Sequence, residues 1–374
     1  MIIYDNRNMK NIIEYVSEYN HDDFINYPVN PIDILILAEL SYFELKKFGK
    51  IYESRLFEKY NLLDDEQIIK KITSHTIDKD YNTILLNEIF KSNRFIDLKA
   101  AFYTDKKSHK DIVQYASMVF QLGNSYIIAF RGTDMSLLGW EEDMNLAFLD
   151  KLPSHDMCVK FLKDVMDQLP QGANIYLTGH SKGGNFATFA ATFIASNYQE
   201  RITKIFDFDG PGYKSNIFKC KQFLNIENKY NKLVPYDSIV GTLMIDYSKY
   251  KVVSATGANG ISQHSPFRWE LDDINDFVYL PKISKTSRAF DLAFNDWLAK
   301  RDDKTKQYYT KAIFDFLHKC GIKDLSQLSG DIIPLFKKAM AQQKKLKKED
   351  KKEAYSALFE LGRTYLYYRF KRDT

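Results

Sequence analysis

Cysteine is scarce in this chain, and neither sign of charge dominates. Its three cysteines, Cys158, Cys220 and Cys320, are odd in number and far apart, which fits neither a disulfide framework nor a C-x-x-C metal or redox site. The seven histidines show no H-x-x-x-H pairing, so no structural metal is expected. Formal net charge is only +4, from 53 Lys and Arg against 49 Asp and Glu, a balance that does not ask for a nucleic-acid partner. No apolar run approaches the roughly 18 residues that cross a bilayer. The opening MIIYDNRNMKNIIEYV interrupts its apolar residues with Asp5, Arg7, Asn8 and Lys10, so it lacks the continuous apolar segment of a secretory signal, and a cytoplasmic protein is expected.

What is present is a globular composition, with 45% apolar residues in 374, enough for two or three structural units at about 100–200 residues each. Residues 1–93 read as a helical N-terminal extension: Asn30-Pro31 is a cap with proline in the first turn, and IDILILAELSYFEL is apolar nearly all round, hence buried. No chemistry is evident there, and a packing role is expected. Residues 94–284 change to short β-rich runs between glycine turns and helical segments. YASMVFQL and SYIIAF flank Gly123-Asn124 at hairpin spacing, and NIYLTG, ITKIFDFDG, QFLNIEN and KYKVVSATG follow. Such runs alternating with helical patterns predict an α/β protein with a mostly parallel sheet covered on both faces. Residues 285–374 turn helical again and carry a Lys-rich tail. Its segment 343–352 mixes Glu349 and Asp350 with lysines around one apolar residue, Leu346, and so reads as a solvated face rather than a membrane or nucleic-acid patch.

The informative stretch is Asn174-Ile-Tyr-Leu-Thr-Gly-His-Ser-Lys-Gly-Gly-Asn-Phe-Ala, a β-run that ends in Gly179-His180-Ser181-Lys182-Gly183 and passes directly into a small-residue helix. This is the G-x-S-x-G pattern in its strand–turn–helix setting. A serine at the tip of so sharp a turn brings strand and helix very close, and side chains two positions to either side would collide. Ser181 is therefore the candidate nucleophile, at a helix N-terminus whose dipole favours an anion.

A serine that attacks a carbonyl needs donors for the oxyanion. The backbone N–H of Lys182 is one candidate. The second is Thr133 in Arg131-Gly132-Thr133-Asp134, at the end of an earlier β-run, through its N–H with help from its hydroxyl. A base and an acid should follow the serine. Only His264 and His318 lie downstream, and His264, in a Gly/Ser/Pro-rich loop after a predicted strand, is the better base. Asp207, Asp209, Glu227, Asp237 and Asp246 all lie between Ser181 and His264. Asp237, 56 residues after the serine and 27 before the histidine, is the preferred acid, although Asp in a proline-containing turn commonly just caps backbone N–H groups.

Taken in order, I-I-A-F-R-G-T-D (127–134), W-E-E-D (140–143), L-T-G-H-S-K-G-G-N-F-A (177–187), F-D-G-P-G (208–212), V-P-Y-D-S-I-V-G (234–241) and Q-H-S (263–265) resemble the α/β-hydrolase fold of class 3, fungal-type lipases, and especially their bacterial Mbeg1-like relatives. The resemblance covers about half the chain and leaves out both helical flanks. It implies Ser181 as nucleophile, Asp237 as acid, His264 as base, and Thr133 and Lys182 as the oxyanion hole, with no cofactor. Many secreted relatives have Leu after the serine and an apolar lid after R-G-[ST]. Here stand Lys182 and Glu141-Glu142-Asp143, which favours a smaller or more polar ester over interfacial triglyceride cleavage. The expected function is a cytoplasmic serine hydrolase acting on a small-molecule or lipid ester. Its rivals are a silent scaffold that binds a partner or membrane surface through the basic tail, and an acyltransferase or thioesterase using the same residues.

Overall fold

The computed structural model describes residues 10–19, 26–44, 66–74, 76–244, 249–258, 260–272, 276–319 and 362–370, together with 24, 247, 322 and 360. Cys320, Asp246 and the Lys-rich segment 343–352 lie outside the described residues. Among the described residues four helices come first: α1 (Ile12–Glu18), α2 (Pro31–Leu40), α3 (Glu66–Thr73) and α4 (Lys79–Lys91). One sheet of eight strands follows: β1 (Lys99–Ser108), β2 (Val113–Leu122), β3 (Ser125–Phe130), β4 (Asn174–His180), β5 (Ile202–Phe208), β6 (Tyr230–Pro235), β7 (Lys251–Val253) and β8 (Tyr279–Leu280). Strands β1 to β3 are antiparallel, β3 to β7 run parallel, and β8 returns antiparallel to β7. This is the α/β-hydrolase architecture that the sequence predicts.

The strands stand in the sheet in chain order. Crossovers between parallel strands are right-handed, so a sheet wound in one direction puts its crossover helices on one face. Here they are α5 (Leu137–Asn145) and α6 (Pro153–Met166) before β4, then α7 (Lys182–Phe193) and α8 (Ser196–Arg201) before β5. Ile128, Phe130 and Leu177 meet Leu162, Phe186 and Ala190 on that side. The other face, with Ile127, Ala129, Phe206 and Phe208, is covered from the N-terminal region. Every residue of α2 from Ile32 to Leu40 is buried. The predicted cap is present: Asn30 Oδ1 accepts from the N–H groups of Ile32 and Asp33 at 2.9 and 3.0 Å, with Pro31 in the first turn. Asp33 is held by a buried ion pair to Arg94 at 2.6 Å.

Two expectations about strands need correction. QFLNIEN is not a strand but the short helix α9 (Lys221–Leu224) and a turn. Phe223 and Ile226, three apart, both face inward while Leu224 is 55% exposed, so the burial period there is helical. Strand β1 was not expected, because its outer half, Thr-Asp-Lys-Lys-Ser, carries the charge that edge strands tolerate. The remaining α-helices among the described residues are α10 (Gly260–Gln263), α11 (Lys285–Ala299), α12 (Asp303–Lys319) and a helix at 362–370. No helix among the described residues is long and apolar enough to cross a membrane.

Candidate active site

Ser181 joins β4 to α7 with φ 57° and ψ −134°, a left-handed conformation that a serine adopts only under constraint. A Cβ on Gly179 would lie 2.1 Å from the carbonyl carbon of Gly183, and one on Gly183 would lie 2.1 Å from the Phe130 carbonyl oxygen. The two motif glycines are thus required by close backbone approach. The Ser181 N–H is donated to Phe208 O at the end of β5, which ties the turn to the neighbouring strand. Lys182 opens the helix, where backbone N–H groups have no intrahelical acceptor.

His264 follows α10. Its Nδ1–H donates to Asp209 Oδ2 at 2.6 Å, and its ring lies 4.5 Å, centroid to centroid, from that of His180, the residue before Ser181. The carboxylate on His264 is therefore Asp209 and not the expected Asp237. Asp209 directly follows β5, has φ 53° and is fully buried. Its Oδ1 accepts from Ser238 Oγ at 2.6 Å and from the Gly241 N–H at 3.0 Å. V-P-Y-D-S-I-V-G therefore cradles the carboxylate on His264 instead of supplying it. Asp237 accepts a hydrogen bond from Ser284 Oγ, and its N–H donates to Gln263 Oε1 at 2.8 Å. The missed signal was an Asp at the end of the strand beside the one that leads into Ser181, followed by Gly-Pro-Gly.

Around the expected oxyanion site, the Thr133 hydroxyl donates to Asp143 Oδ2 at 2.5 Å, so it is not free to act as a second donor and only its N–H remains for that task. The Lys182 side chain points into the interior, with Nζ 2.8 Å from Glu142 Oε2, 3.1 Å from Asp143 Oδ1 and 3.0 Å from Gln114 Oε1. Burial pulls its pKa down, but the Asp143 and Glu142 carboxylates outweigh burial and hold it above the ordinary lysine value. Burial pushes Asp143 up despite Lys182. Lys182 and, from the acidic stretch, Glu142 and Asp143 thus form one interior ion cluster, with Glu141 outside it. They say nothing about the polarity of an ester bound outside it. Arg131 and Asp134 clamp the same loop to β1, through Asp105 at 3.2 Å and Lys107 at 2.7 Å.

The N-terminal region also reaches the site. His180 Nε2–H donates to the His264 carbonyl at 2.8 Å, and its Nδ1 faces Glu39 Oε1 at 3.2 Å and Tyr42 Oη at 3.3 Å. Burial lowers the His180 pKa, but Glu39, Asp209 and the His264 carbonyl together raise it above the usual 6.5. Tyr42 Oη also donates to His180 O at 3.2 Å, and a Cβ on Gly132 would lie 2.1 Å from that oxygen of Tyr42. Sequence reasoning placed no chemistry in residues 1–93, since Glu39 sits in a helix that reads as apolar all round. His318, the other downstream histidine, faces Glu141 at 3.9 Å on the surface. No group of three or more His, Cys, Asp or Glu among the described residues could hold a metal ion.

A family model described as Mbeg1-like matches residues 89–315, more than half of the chain. The chain belongs to the Mbeg1-like family. The matched span contains Ser181, Asp209 and His264 but not α2, so Glu39 and Tyr42 enter the site from outside it. No curated protein matches. Among solved structures, the M37 lipase is 16% identical with TM-score 0.33, over 56% of this chain and 68% of that one. The Rhizomucor miehei lipase propeptide complex is 17% identical with TM-score 0.34, over 46% and 66%. The lipase of Rhizopus microsporus var. chinensis is 19% identical with TM-score 0.33, over 50% and 74%.

Proposed function

We propose that this protein is a serine hydrolase that cleaves a carboxylic ester with Ser181, His264 and Asp209. The observation that carries the reading is the pair His264 Nδ1–Asp209 Oδ2 at 2.6 Å, its ring against the residue that precedes a strained, half-buried serine. Asp209 fixes the imidazole with its proton on Nδ1, which leaves Nε2 as the base. Nε2 takes the Ser181 proton as Oγ adds to the ester carbonyl. The N–H groups of Thr133 and Lys182 receive the oxyanion, and the alcohol leaves with the proton from Nε2. Water then gives its proton to the same nitrogen and adds to the acyl-serine carbonyl, and as that adduct collapses Nε2 returns the proton to Ser181 Oγ and the acid is released. Compartment is part of the proposal too, a cytoplasmic enzyme.

The test is labelling by a fluorophosphonate probe, which needs an activated serine, in the unmodified protein and in Ser181→Ala, Asp209→Asn and Asp237→Asn. Labelling of the unmodified protein and of Asp237→Asn, with loss in Ser181→Ala and strong slowing in Asp209→Asn, is expected. An unlabelled native chain, or full labelling of Ser181→Ala, would remove the proposal.

A further inference from the structure

At the β7–β8 edge of the sheet, the chain forms an open pocket of about 910 Å³, within the usual range of small-molecule sites of about 300–1,000 Å³. Its walls come from β7, β8, the start of α11 and the helix at 362–370. Val252, Leu280, Ile283, Ala289 and Leu292 give it an apolar lining, and Tyr250, Tyr279, Tyr368 and Phe370 add aromatic surface. Its charged lining residues are Lys251, Lys282, Lys285, Arg288 and Arg369, with no carboxylate among them. Arg288 is paired with Asp291 at 2.7 Å. Lys251 rests over the Tyr279 ring at 5.1 Å. Among the described residues no carboxylate pairs with Lys251, Lys282, Lys285 or Arg369.

An apolar slot rimmed by one sign of charge is complementary to a molecule that is apolar along its length and anionic at one end. We propose that this pocket binds an acyl chain carrying an anionic head group, either free in solution or presented by a bilayer. The chain lies along Val252, Leu280 and Leu292, and the head group meets Lys282, Lys285 and Arg369. The same helix that walls the pocket exposes Leu366, Tyr367 and Phe370, the last at 79%, beside Arg363 and Arg369, an amphipathic face suited to an anionic lipid surface. The pocket is also connected to the candidate active site. Ser284, which lines it, donates to Asp237, and the Asp237 N–H donates to Gln263, the residue before His264. An occupant that moves the start of α11 therefore acts on the loop of the base.

The binding test uses full-length protein carrying Ser181→Ala, so that its outcome does not depend on the proposed hydrolysis. Laurate and its neutral counterpart lauryl alcohol are titrated calorimetrically below their aggregation concentrations. Vesicles of phosphatidylcholine, with and without phosphatidylglycerol, are followed by sedimentation. Laurate is expected to bind at least about ten-fold more tightly than the alcohol, and Lys282→Glu/Lys285→Glu to weaken laurate or phosphatidylglycerol vesicles by at least about ten-fold, the size expected for two reversed cations. Arg369→Glu should act in the same direction. A charge effect on laurate assigns a soluble ligand, and one seen only with vesicles assigns a bilayer. Equal binding of acid and alcohol with no preference for the anionic vesicles, indifference of both probes to the charge reversals, or no binding of either probe overturns the proposal.

Discussion

Thr133 and Lys182, 49 residues apart in sequence, are tied to the same carboxylate: Asp143 takes the Thr133 hydroxyl on one oxygen and faces the Lys182 ammonium with the other. The loop after β3 and the first turn of α7 are thereby fixed to each other behind the proposed oxyanion site. Glu142 completes the cluster, accepting from Lys182, the Gln114 N–H and Ser154 Oγ. Removing one partner of a buried ion pair strands the other.

Lys182→Met should therefore cost about 3–5 kcal/mol in urea unfolding, because Glu142 loses its cation inside the core. Adding Glu142→Gln to Lys182→Met should recover much of that loss. A Lys182→Met protein of native stability would mean that the cluster is solvated and unimportant. Thr133→Val keeps the backbone N–H and removes only the tie to Asp143. Its effect is expected in kcat more than in KM, since it disturbs a donor aimed at the transition state.

The carboxylate that serves His264 can be identified kinetically. Asp209→Asn should lower kcat for a short-chain ester by about a thousand-fold or more, because an amide cannot stabilise the imidazolium and favours the wrong tautomer. Asp237→Asn should remain near the native rate, since its backbone N–H still holds Gln263. The reverse ranking would return the acid to Asp237.

The turn at Ser181 was legible because its pattern is local: Gly179 is forced by the approach of Gly183 within one strand–turn–helix unit, and Gly183 by the end of the adjacent strand β3. The hairpin at Gly123-Asn124 and the cap at Asn30-Pro31 were legible for the same reason. Asp209 was not, because its role depends on β5 lying next to β4 and on a positive φ that no spacing announces. Glu39 and Tyr42 were hidden by distance along the chain. Nothing in IDILILAELSYF indicates that its helix will lie under the elbow and present one carboxylate to His180. The ion cluster of Lys182 was misread for a related reason, since a lysine beside the nucleophile reads as facing the substrate until α5 is seen behind it.

The Glu39–His180 contact carries a pH signature. With its folded pKa raised above 6.5, His180 contributes stability that is complete below 6.5 and is lost as pH rises through the folded value. Facing it are Glu39 and Tyr42 from the N-terminal region and Asp209 and His264 from the site. Glu39→Gln removes the main raising influence. The native protein should therefore exceed the variant in stability on the acid side, with the gap closing or reversing as pH rises above 6.5. Urea midpoints measured across that range would test this, and a gap independent of pH would show that His180 is neutral throughout.

His155 titrates in the opposite sense and supplies the acid limit. It is 1% exposed, stacked on Phe189 with centroids 4.0 Å apart, and its Nε2–H donates to Asn185 Oδ1 at 2.8 Å while Nδ1 accepts the Leu152 N–H. Burial lowers its pKa from 6.5 to about 4, with Asn185 only partly offsetting it. The unfolded chain therefore takes a proton that the folded chain refuses, so the full contribution is present above 6.5 and is lost as pH falls toward 4. The shift corresponds to about 3 kcal/mol across that window. His155→Gln keeps an amide donor for Asn185 and cannot titrate. It should be less stable than the native protein at neutral pH, through loss of the ring stack, yet lose less stability on acidification, so that the two curves converge as pH approaches 4. Parallel curves over the whole range would mean that His155 accepts its proton in the folded state.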